Sequence, residues 1–299
     1  MASMNINVGI RGLKRGSNVL DIKVPDALRN KQKTGIAWFD DALGGEGFTP
    51  STSMMLTGGP GCGKTTMILQ LADAITAQGH IALMNTGEES LYQVRMVTER
   101  LKLKHGFVAG QDTMVGDVLG HADFLRKANP GKQIFLLQDS LQTLNDGFYK
   151  DGGTTGATPT RCVEQLTSWV KEHYGICIFI GQVTKNGDFA GKNTIKHAVD
   201  VHGHLFFDDD KKSETYGERL YEVQKNRFGC NGKTYIIGID KEGLHEKGHF
   251  SKSGKLETGV RGMGGAEGAT SGRTSPVRRE ARAGNALPAP GSIPGHSTK

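Results

Sequence analysis

One stretch of the sequence has the residue types and the spacing needed to hold a polyphosphate. Residues 58–65 fit the pattern G-x-x-x-x-G-K-[ST], in which glycines let backbone N–H groups turn toward phosphate oxygens. The lysine neutralises the β- and γ-phosphates, and the hydroxyl after it is a ligand for Mg²⁺. The alternative is a glycine-rich turn that matches by chance. The sequence predicts a site for ATP and Mg²⁺ made by Gly58, Gly59, Pro60, Gly61, Cys62, Gly63, Lys64, Thr65 and Thr66.

Carboxylates follow two further apolar runs of the chain. Asp139 comes after Ile134–Leu137, where the end of a strand would let it hold Mg²⁺ together with Thr65. Glu88 and Glu89 follow another run, and a carboxylate there can polarise the water that attacks the γ-phosphate. We favour Glu88 as this base over Glu89. The alternatives are that Asp139 caps the next turn and that the glutamates supply favourable charge to the start of a helix.

Two more polar positions follow apolar runs. Gln182 comes after Ile176–Ile180, where it would sense the γ-phosphate or, alternatively, satisfy backbone groups at the end of a strand. The pentapeptide Lys225–Gly229 also follows a run and by itself indicates only a basic turn. With Gln182, the predicted catalytic set contains Lys64, Glu88 and Glu89.

A phosphate-binding loop needs a strand before it and a helix after it, and the surrounding pattern predicts both. Strands that alternate with helices indicate a mainly parallel, twisted sheet wrapped by helices. Three later runs without long helices between them predict an antiparallel extension of that sheet. The predicted strands are Ser53–Thr57, His80–Asn85, Ile134–Leu137, Ile176–Ile180, His204–Phe207, Leu220–Val223 and Tyr235–Ile239, and the predicted helices are Lys64–Gln78, one from Ser90 onward and Thr160–Tyr174.

Composition divides the chain of 299 residues into three parts. Residues 1–30 show no strong periodicity and are expected to form an N-terminal arm, and residues 31–249 are expected to form the α/β domain. Glycine, serine, proline and arginine dominate residues 250–299, which cannot bury enough apolar surface to offset their ordering entropy. We therefore predict a disordered tail.

Charge and cysteine usage narrow the class of protein. Nine basic and three acidic residues lie from Lys247 onward, which accounts for the whole formal charge of +6, so the preceding residues are neutral overall. A neutral body argues against a protein that coats nucleic acid over its whole surface. None of the four cysteines forms a C-x-x-C pair, and no run of about 18 apolar residues exists. A cytoplasmic protein without a membrane span is expected.

The motifs and their order resemble the ATPase domain of the RadA/Sms family of bacterial DNA-repair proteins. The resemblance covers about residues 33–240, and the pentapeptide is the most diagnostic of its signatures. The family's usual four-cysteine zinc motif and Lon-like domain have no counterpart in this sequence, and Gln182 stands where the family commonly has histidine. The segments that carry the resemblance are 34–45, 58–65, Gly87–Leu91 with Gln93, Asp139–Thr143, Val183–Lys185, Ala190-Gly191, His197, Val199-Asp200 and Lys225–Gly229.

The resemblance implies a RecA-like P-loop ATPase core that assembles into a ring or filament. Lys225 and Arg227 would then reach the ATP of a neighbouring subunit, and both would meet one phosphate tail. Loops over 145–160 and 186–197 would face a central channel, where they would follow single-stranded DNA through its phosphates. The DNA-binding residues implied in this way are Lys185, Lys192 and Lys196.

The function expected from the resemblance is a DNA-stimulated ATPase, with possible translocase or helicase action, in recombination or repair. One alternative is a replicative helicase of the DnaB type, which shares the fold and the cations that act between subunits. Another is a nucleotide-gated assembly or regulatory module with little turnover. The rate of ATP hydrolysis with and without single-stranded DNA separates these three possibilities.

Overall fold

The computed structural model describes residues 16, 18–150, 152–182, 194–251 and 256–258. Ten strands in this part of the chain form one sheet, in the order β10-β9-β8-β7-β6-β1-β5-β4-β2-β3. The strands are β1 (Thr52–Gly58), β2 (Ile81–Thr86), β3 (Val108–Gly110), β4 (Ile134–Asp139), β5 (Ile176–Gln182), β6 (Val201–Phe207), β7 (Arg219–Asn226), β8 (Thr234–Asp240), β9 (Gly243–Phe250) and β10 (Leu256–Thr258).

Half of the sheet is parallel. Strand β1 lies between β5 and β6 and pairs with both in parallel, and β4, β2 and β3 continue the sheet in the same direction. Every residue of β1 and β4 is buried, as expected for strands that helices cover on both faces. Because parallel strands end at one edge, Gly58, Thr86, Asp139 and Gln182 come to the same edge of the sheet. This is where ligands of open α/β sheets bind.

The other half of the sheet is antiparallel. Strands β6 to β10 pair in sequence order through antiparallel ladders. The predicted antiparallel extension is therefore confirmed, and it is longer than expected because β9 and β10 lie beyond the last predicted strand. In β9 most side chains are polar or partly exposed, so pairing with β8 determines this strand rather than an apolar pattern.

Helices cover both faces of the sheet and bury two separate cores. The long helix α3 packs its Ile68, Leu69 and Leu71 on one face, and α6 packs its Val163, Leu166 and Val170 on the other. The fold is thus the predicted α/β sandwich. The helices are α1 (Asp26–Arg29), α2 (Ala37–Ala42), α3 (Lys64–Ala77), α4 (Leu91–Arg100), α5 (Val115–Ala128), α6 (Thr158–His173) and α7 (Thr194–Ala198), with 3₁₀ turns at Val19–Asp21 and Leu141–Thr143.

The predicted domain boundaries differ from the structure at the carboxyl end. Strand β9 runs to Phe250, and Leu256–Thr258 pairs with it as β10, so ordered chain extends into the segment predicted to be disordered. Backbone pairing stabilises this strand although its sequence has little apolar content. Most of the predicted tail lies outside the described residues. Of the predicted arm, residues 18–30 form a 3₁₀ turn and the short helix α1, with Val19 and Leu20 exposed. In the described residues, no helix has the length and the apolar character that crossing a membrane requires.

Candidate nucleotide-binding site

The loop between β1 and α3 has the conformation that its glycines make possible. Gly61 and Gly63 have φ of +75° and +97°, in the left-handed region that side chains rarely adopt, and Gly63 is the residue before the first turn of α3. A Cβ at Gly58 would meet the backbone oxygen of Leu205 on the neighbouring β6. The glycine spacing of the motif therefore serves both the turn and the close approach of two strands. The loop ends at a helix N-terminus, which favours anions.

Lys64 lies on this loop and points back along it. Its Nζ donates to the carbonyl oxygens of Gly58 and Gly59, both at 2.9 Å. Burial lowers the pKa of Lys64, while nearby Cys62, Asp139 and Glu88 oppose that shift. The ammonium group is thus held among acceptors at the helix N-terminus, where a polyphosphate would bind.

Thr65 and Asp139 meet across the sheet edge, as the sequence predicted for a metal site. The Thr65 hydroxyl donates to Asp139 Oδ2 at 2.6 Å. Burial raises the pKa of Asp139 to about 6, the nearby carboxylates Glu88 and Glu89 raise it further, and the Thr65 hydrogen bond and Lys64 oppose the rise. A hydroxyl and a carboxylate are oxygen donors of the kind that Mg²⁺ takes from a protein when substrate phosphates and water supply its other ligands, so Thr65 and Asp139 fit the ion.

Glu88 lies at the meeting point of three strand ends. Its Oε1 accepts a hydrogen bond from Ser140 Oγ at 2.5 Å and another from Gln182 Nε2 at 2.9 Å. The side chain is exposed to solvent at this edge. Gln182 is therefore brought to the carboxylate predicted to be the base, which places both near the expected position of the γ-phosphate.

Glu89 has different surroundings. Its Oε2 is buried and has no hydrogen-bond partner among the described residues. Its backbone N–H donates to Thr86 Oγ1 at 3.2 Å, which ties the turn to the end of β2. The next residue, Ser90, caps α4 in a reciprocal capping box with Gln93, as the sequence predicted for the start of this helix. The cap fixes where α4 begins and hence where both glutamates lie.

Lys225 and Arg227 lie at the opposite end of the sheet from the phosphate loop. Lys225 Nζ donates to backbone oxygens at the end of α7, the shortest bond being 2.6 Å to Val199. Arg227 Nη1 pairs at 2.7 Å with Asp200, which is fully buried and also pairs with Lys171 Nζ at 2.9 Å. The two cations thus have separate partners within the subunit, and their shared action on one phosphate tail stays a prediction.

The predicted DNA-binding lysines fall mostly outside what the structure describes. Lys185 and Lys192 lie outside the described residues. Lys196 lies on α7 and is partly buried, and its positive charge lowers the pKa of His202 and His204 after the larger effect of burial. Its backbone oxygen accepts from Lys225 at 3.2 Å.

Sequence reasoning missed residues that support the phosphate loop from β6 and β7. Arg219 Nε donates to the Cys62 carbonyl at 2.6 Å, and its guanidinium lies 4.8 Å from the centre of the Phe207 ring. The Thr57 hydroxyl is 2.8 Å from a ring nitrogen of both His202 and His204. No local pattern marks the hydrogen bonds to Cys62 and Thr57, because each joins segments that are more than a hundred residues apart in the chain.

Comparison with known proteins agrees with this geometry. Residues 32–107 match the family model described as ATPase: KaiC. The DNA repair protein RadA of Mycobacterium tuberculosis is 33% identical over 240 residues, and that of Mycolicibacterium smegmatis is 35% identical over 219 residues. These matches cover 78% and 71% of this chain and 47% and 44% of the two relatives. The chain contains a RadA/Sms-type ATPase region. It spans about half the length of these RadA proteins.

Solved structures place the RadA/Sms-type region in the RecA-like fold class. A DnaB-like replicative helicase aligns with a TM-score of 0.60 at 16% identity, covering 70% of this chain and 60% of the helicase chain. The KaiC-like protein PH0186 from Pyrococcus horikoshii aligns with a TM-score of 0.55 at 20% identity, covering 72% of this chain and 98% of the other. The predicted RecA-like fold is therefore confirmed.

Proposed function

We propose that this chain hydrolyses ATP at interfaces between its own copies, that single-stranded DNA stimulates the reaction, and that it acts in DNA recombination or repair. The observation that carries the proposal is the meeting of Lys64, Thr65, Asp139 and Glu88 at one edge of the sheet, with Arg227 at the other. The named role of the RadA relatives in DNA repair supports the choice of process.

Each residue of the site has a distinct task in hydrolysis. Lys64 and the N–H groups of the loop bind and orient the phosphates. Thr65 and Asp139 would hold Mg²⁺, which neutralises charge on the β- and γ-phosphate oxygens. Glu88 would accept a proton from the attacking water, and the hydrogen bonds from Ser140 and Gln182 would orient its carboxylate.

Arg227 supports an interface between subunits because it is far from the phosphate loop of its own chain. Its partner Asp200 bonds to Ser53 near the start of β1, and the phosphate loop begins at Gly58. Five residues of extended strand span about 17 Å, which exceeds the reach of an arginine side chain. From this position Arg227 can stabilise the transition state only in the nucleotide site of a neighbouring subunit.

The proposed binding of single-stranded DNA rests on fewer residues. Lys185, Lys192 and Lys196 are proposed to contact strand phosphates. These contacts would be independent of base sequence and weakened by salt. Translocation along the strand and the ring or filament state belong to the same proposal.

A second candidate is a nucleotide-gated assembly or regulatory module with little turnover. The match of residues 32–107 to the KaiC ATPase model covers the phosphate loop but ends before Asp139, so it supports nucleotide binding in either candidate. The likeness to the DnaB-like helicase concerns the fold alone, because the aligned sequences are only 16% identical. Hydrolysis rates distinguish the module from the DNA-stimulated enzyme.

Glu88→Gln tests whether the site hydrolyses ATP as proposed. The amide keeps the size of the side chain but cannot take a proton from water, so ATP should bind normally while turnover falls about 10²- to 10⁴-fold. The dissociation constant for ATP and the initial rate of phosphate release should be measured on the same preparation.

Glu89→Gln is the matched control for this experiment. The neighbouring carboxylate has the same chemistry but lacks the contacts with Ser140 and Gln182, so this variant should retain most of the activity. If Glu89→Gln slows hydrolysis and Glu88→Gln does not, the base has been assigned to the wrong residue. If the unmodified protein binds ATP without hydrolysing it in the presence or absence of DNA, the module is the better description.

A further inference from the structure

An exposed pair of aromatic rings lies on the loop between the 3₁₀ turn Leu141–Thr143 and helix α6. Phe148 is 66% exposed and Tyr149 is 39% exposed. Their ring centres are 5.0 Å apart and the ring planes meet at 79°, the edge-to-face arrangement that aromatic pairs prefer. Large apolar side chains that remain this accessible on an ordered loop point to a binding role.

A cation accompanies the two rings. The Arg161 guanidinium lies 4.6 Å from the centre of the Phe148 ring and 5.8 Å from that of Tyr149. Arg161 is itself fixed by an ion pair with Asp146, whose side chain is only 1% exposed. The rings and the guanidinium thus form one surface, the aromatic platform, which consists of Phe148, Tyr149 and Arg161.

The loop is built to hold this platform in place. The Asn145 side chain accepts from the Gly147 N–H at 2.8 Å and donates to the Gly152 carbonyl at 2.8 Å. The Gln165 side chain on α6 donates to the Asp146 carbonyl at 3.2 Å. A loop restrained at both ends presents its rings with little further loss of entropy on binding.

The platform lies on the ATPase edge of the sheet. It comes after β4, which ends at Asp139, and Ser140 at the start of the intervening segment donates to Glu88. Asn145 also pairs with Met114 at the start of α5, which brings the loop beside the end of β3. A ligand on the platform would therefore bind at the edge of the sheet that carries Glu88.

We infer that the aromatic platform stacks on unpaired bases of single-stranded nucleic acid. Flat rings beside a guanidinium match the π faces of bases, which every base offers and which a duplex hides within its stack. This inference rests on the proposed function and adds a base contact to the phosphate contacts of Lys185, Lys192 and Lys196. The inference attributes a preference for single strands over duplex to stacking on Phe148 and Tyr149.

The test compares two oligonucleotides of equal length, one of thymidines and one with an abasic backbone, by fluorescence anisotropy at fixed salt. The wild-type chain should bind the thymidine strand more tightly. Phe148→Ala should weaken binding to that strand roughly 5- to 150-fold, the range for loss of one stacked base, and leave binding to the abasic strand unchanged. Phe148→Tyr should retain the wild-type difference.

Phe124→Ala is the matched control, because Phe124 is 67% exposed and lies on α5, nine residues along from its start. That spacing puts it about 14 Å along the helix from the end near the loop. This variant should behave as wild type with both strands.

Any of four results would overturn the platform. Phe148→Ala could lose affinity equally for both strands or lose none for either. Each of these two results would exclude base stacking and leave the proposed ATPase activity unaffected. A change of oligomeric state in sedimentation, without a change in base preference, would assign the rings to a protein interface. If wild-type protein binds neither strand, the DNA part of the proposed function fails together with the platform.

Discussion

Lys64→Ala should abolish ATP hydrolysis and weaken nucleotide binding. The ammonium group is the main cation of the phosphate loop, and its removal leaves the loop with only its backbone donors for the polyphosphate. Loss of one hydrogen bond to a charged group is worth about 1.5–3 kcal/mol, so the affinity for ATP should fall roughly 10- to 150-fold. Phosphate release should drop to the background of the assay. The measurement is a titration with ATP followed by initial rates at saturating ATP.

Lys127→Ala is the control for removal of a lysine. Lys127 lies on the surface of α5, where its side chain is 69% exposed and pairs with Asp123. Because exposed ion pairs contribute little, this variant should keep both affinity and rate. The thermal transition of Lys64→Ala serves to confirm that the variant is folded. If the folded variant turns over ATP like wild type, residues 58–66 are not part of the active site.

Arg227→Ala should cut turnover about 10³- to 10⁵-fold, the range measured for arginine fingers in phosphoryl transfer. The fold should survive the change, because Asp200 keeps its ion pair with Lys171 and its hydrogen bonds from Ser53. Nucleotide binding by the isolated subunit should remain normal, since Arg227 is remote from its own phosphate loop. Rates and ATP affinities of the variant and the wild type provide the comparison.

Mixing two inactive variants tests whether Arg227 acts on a neighbour. In an assembly of Arg227→Ala and Glu88→Gln subunits, some interfaces pair an intact base with an intact arginine. At equal proportions and random assembly, about a quarter of the interfaces in a head-to-tail ring are complete, so activity should recover toward that fraction. Absence of recovery at every mixing ratio would place the action of Arg227 within one subunit. Arg227→Lys keeps the charge without the planar fork and should remain strongly impaired.

The parts of the site that could be predicted are those formed by contiguous residues. The phosphate loop has a local pattern because its glycines are needed for its own backbone, with φ of +75° at Gly61 and +97° at Gly63. Asp139 could be predicted because it ends a strand that begins with four apolar residues. The contact of Glu88 with Ser140 and Gln182 could not, since it requires the ends of β2, β4 and β5 to lie side by side in the order that the sheet imposes.

The elements that escaped prediction lack a strong local signal. Helix α5 contains Gly116 and Gly120, which weaken its helical propensity, and it is stabilised by packing Val118 and Ala122 against the sheet. The pairing of Arg227 with Asp200 depends on β6 and β7 forming a hairpin across a long connection. Neither residue type nor spacing reveals such a contact before the strands are paired.

The ATPase rate as a function of single-stranded DNA concentration tests the central claim most directly. The wild-type chain should hydrolyse ATP slowly alone and faster as the strand is added, until the rate saturates. The apparent affinity for the strand should fall with salt at a log–log slope near −0.7 per phosphate contact, or about −2 for the three proposed lysines of one subunit. A rate that is independent of DNA at all concentrations and at low salt would contradict a DNA-stimulated ATPase.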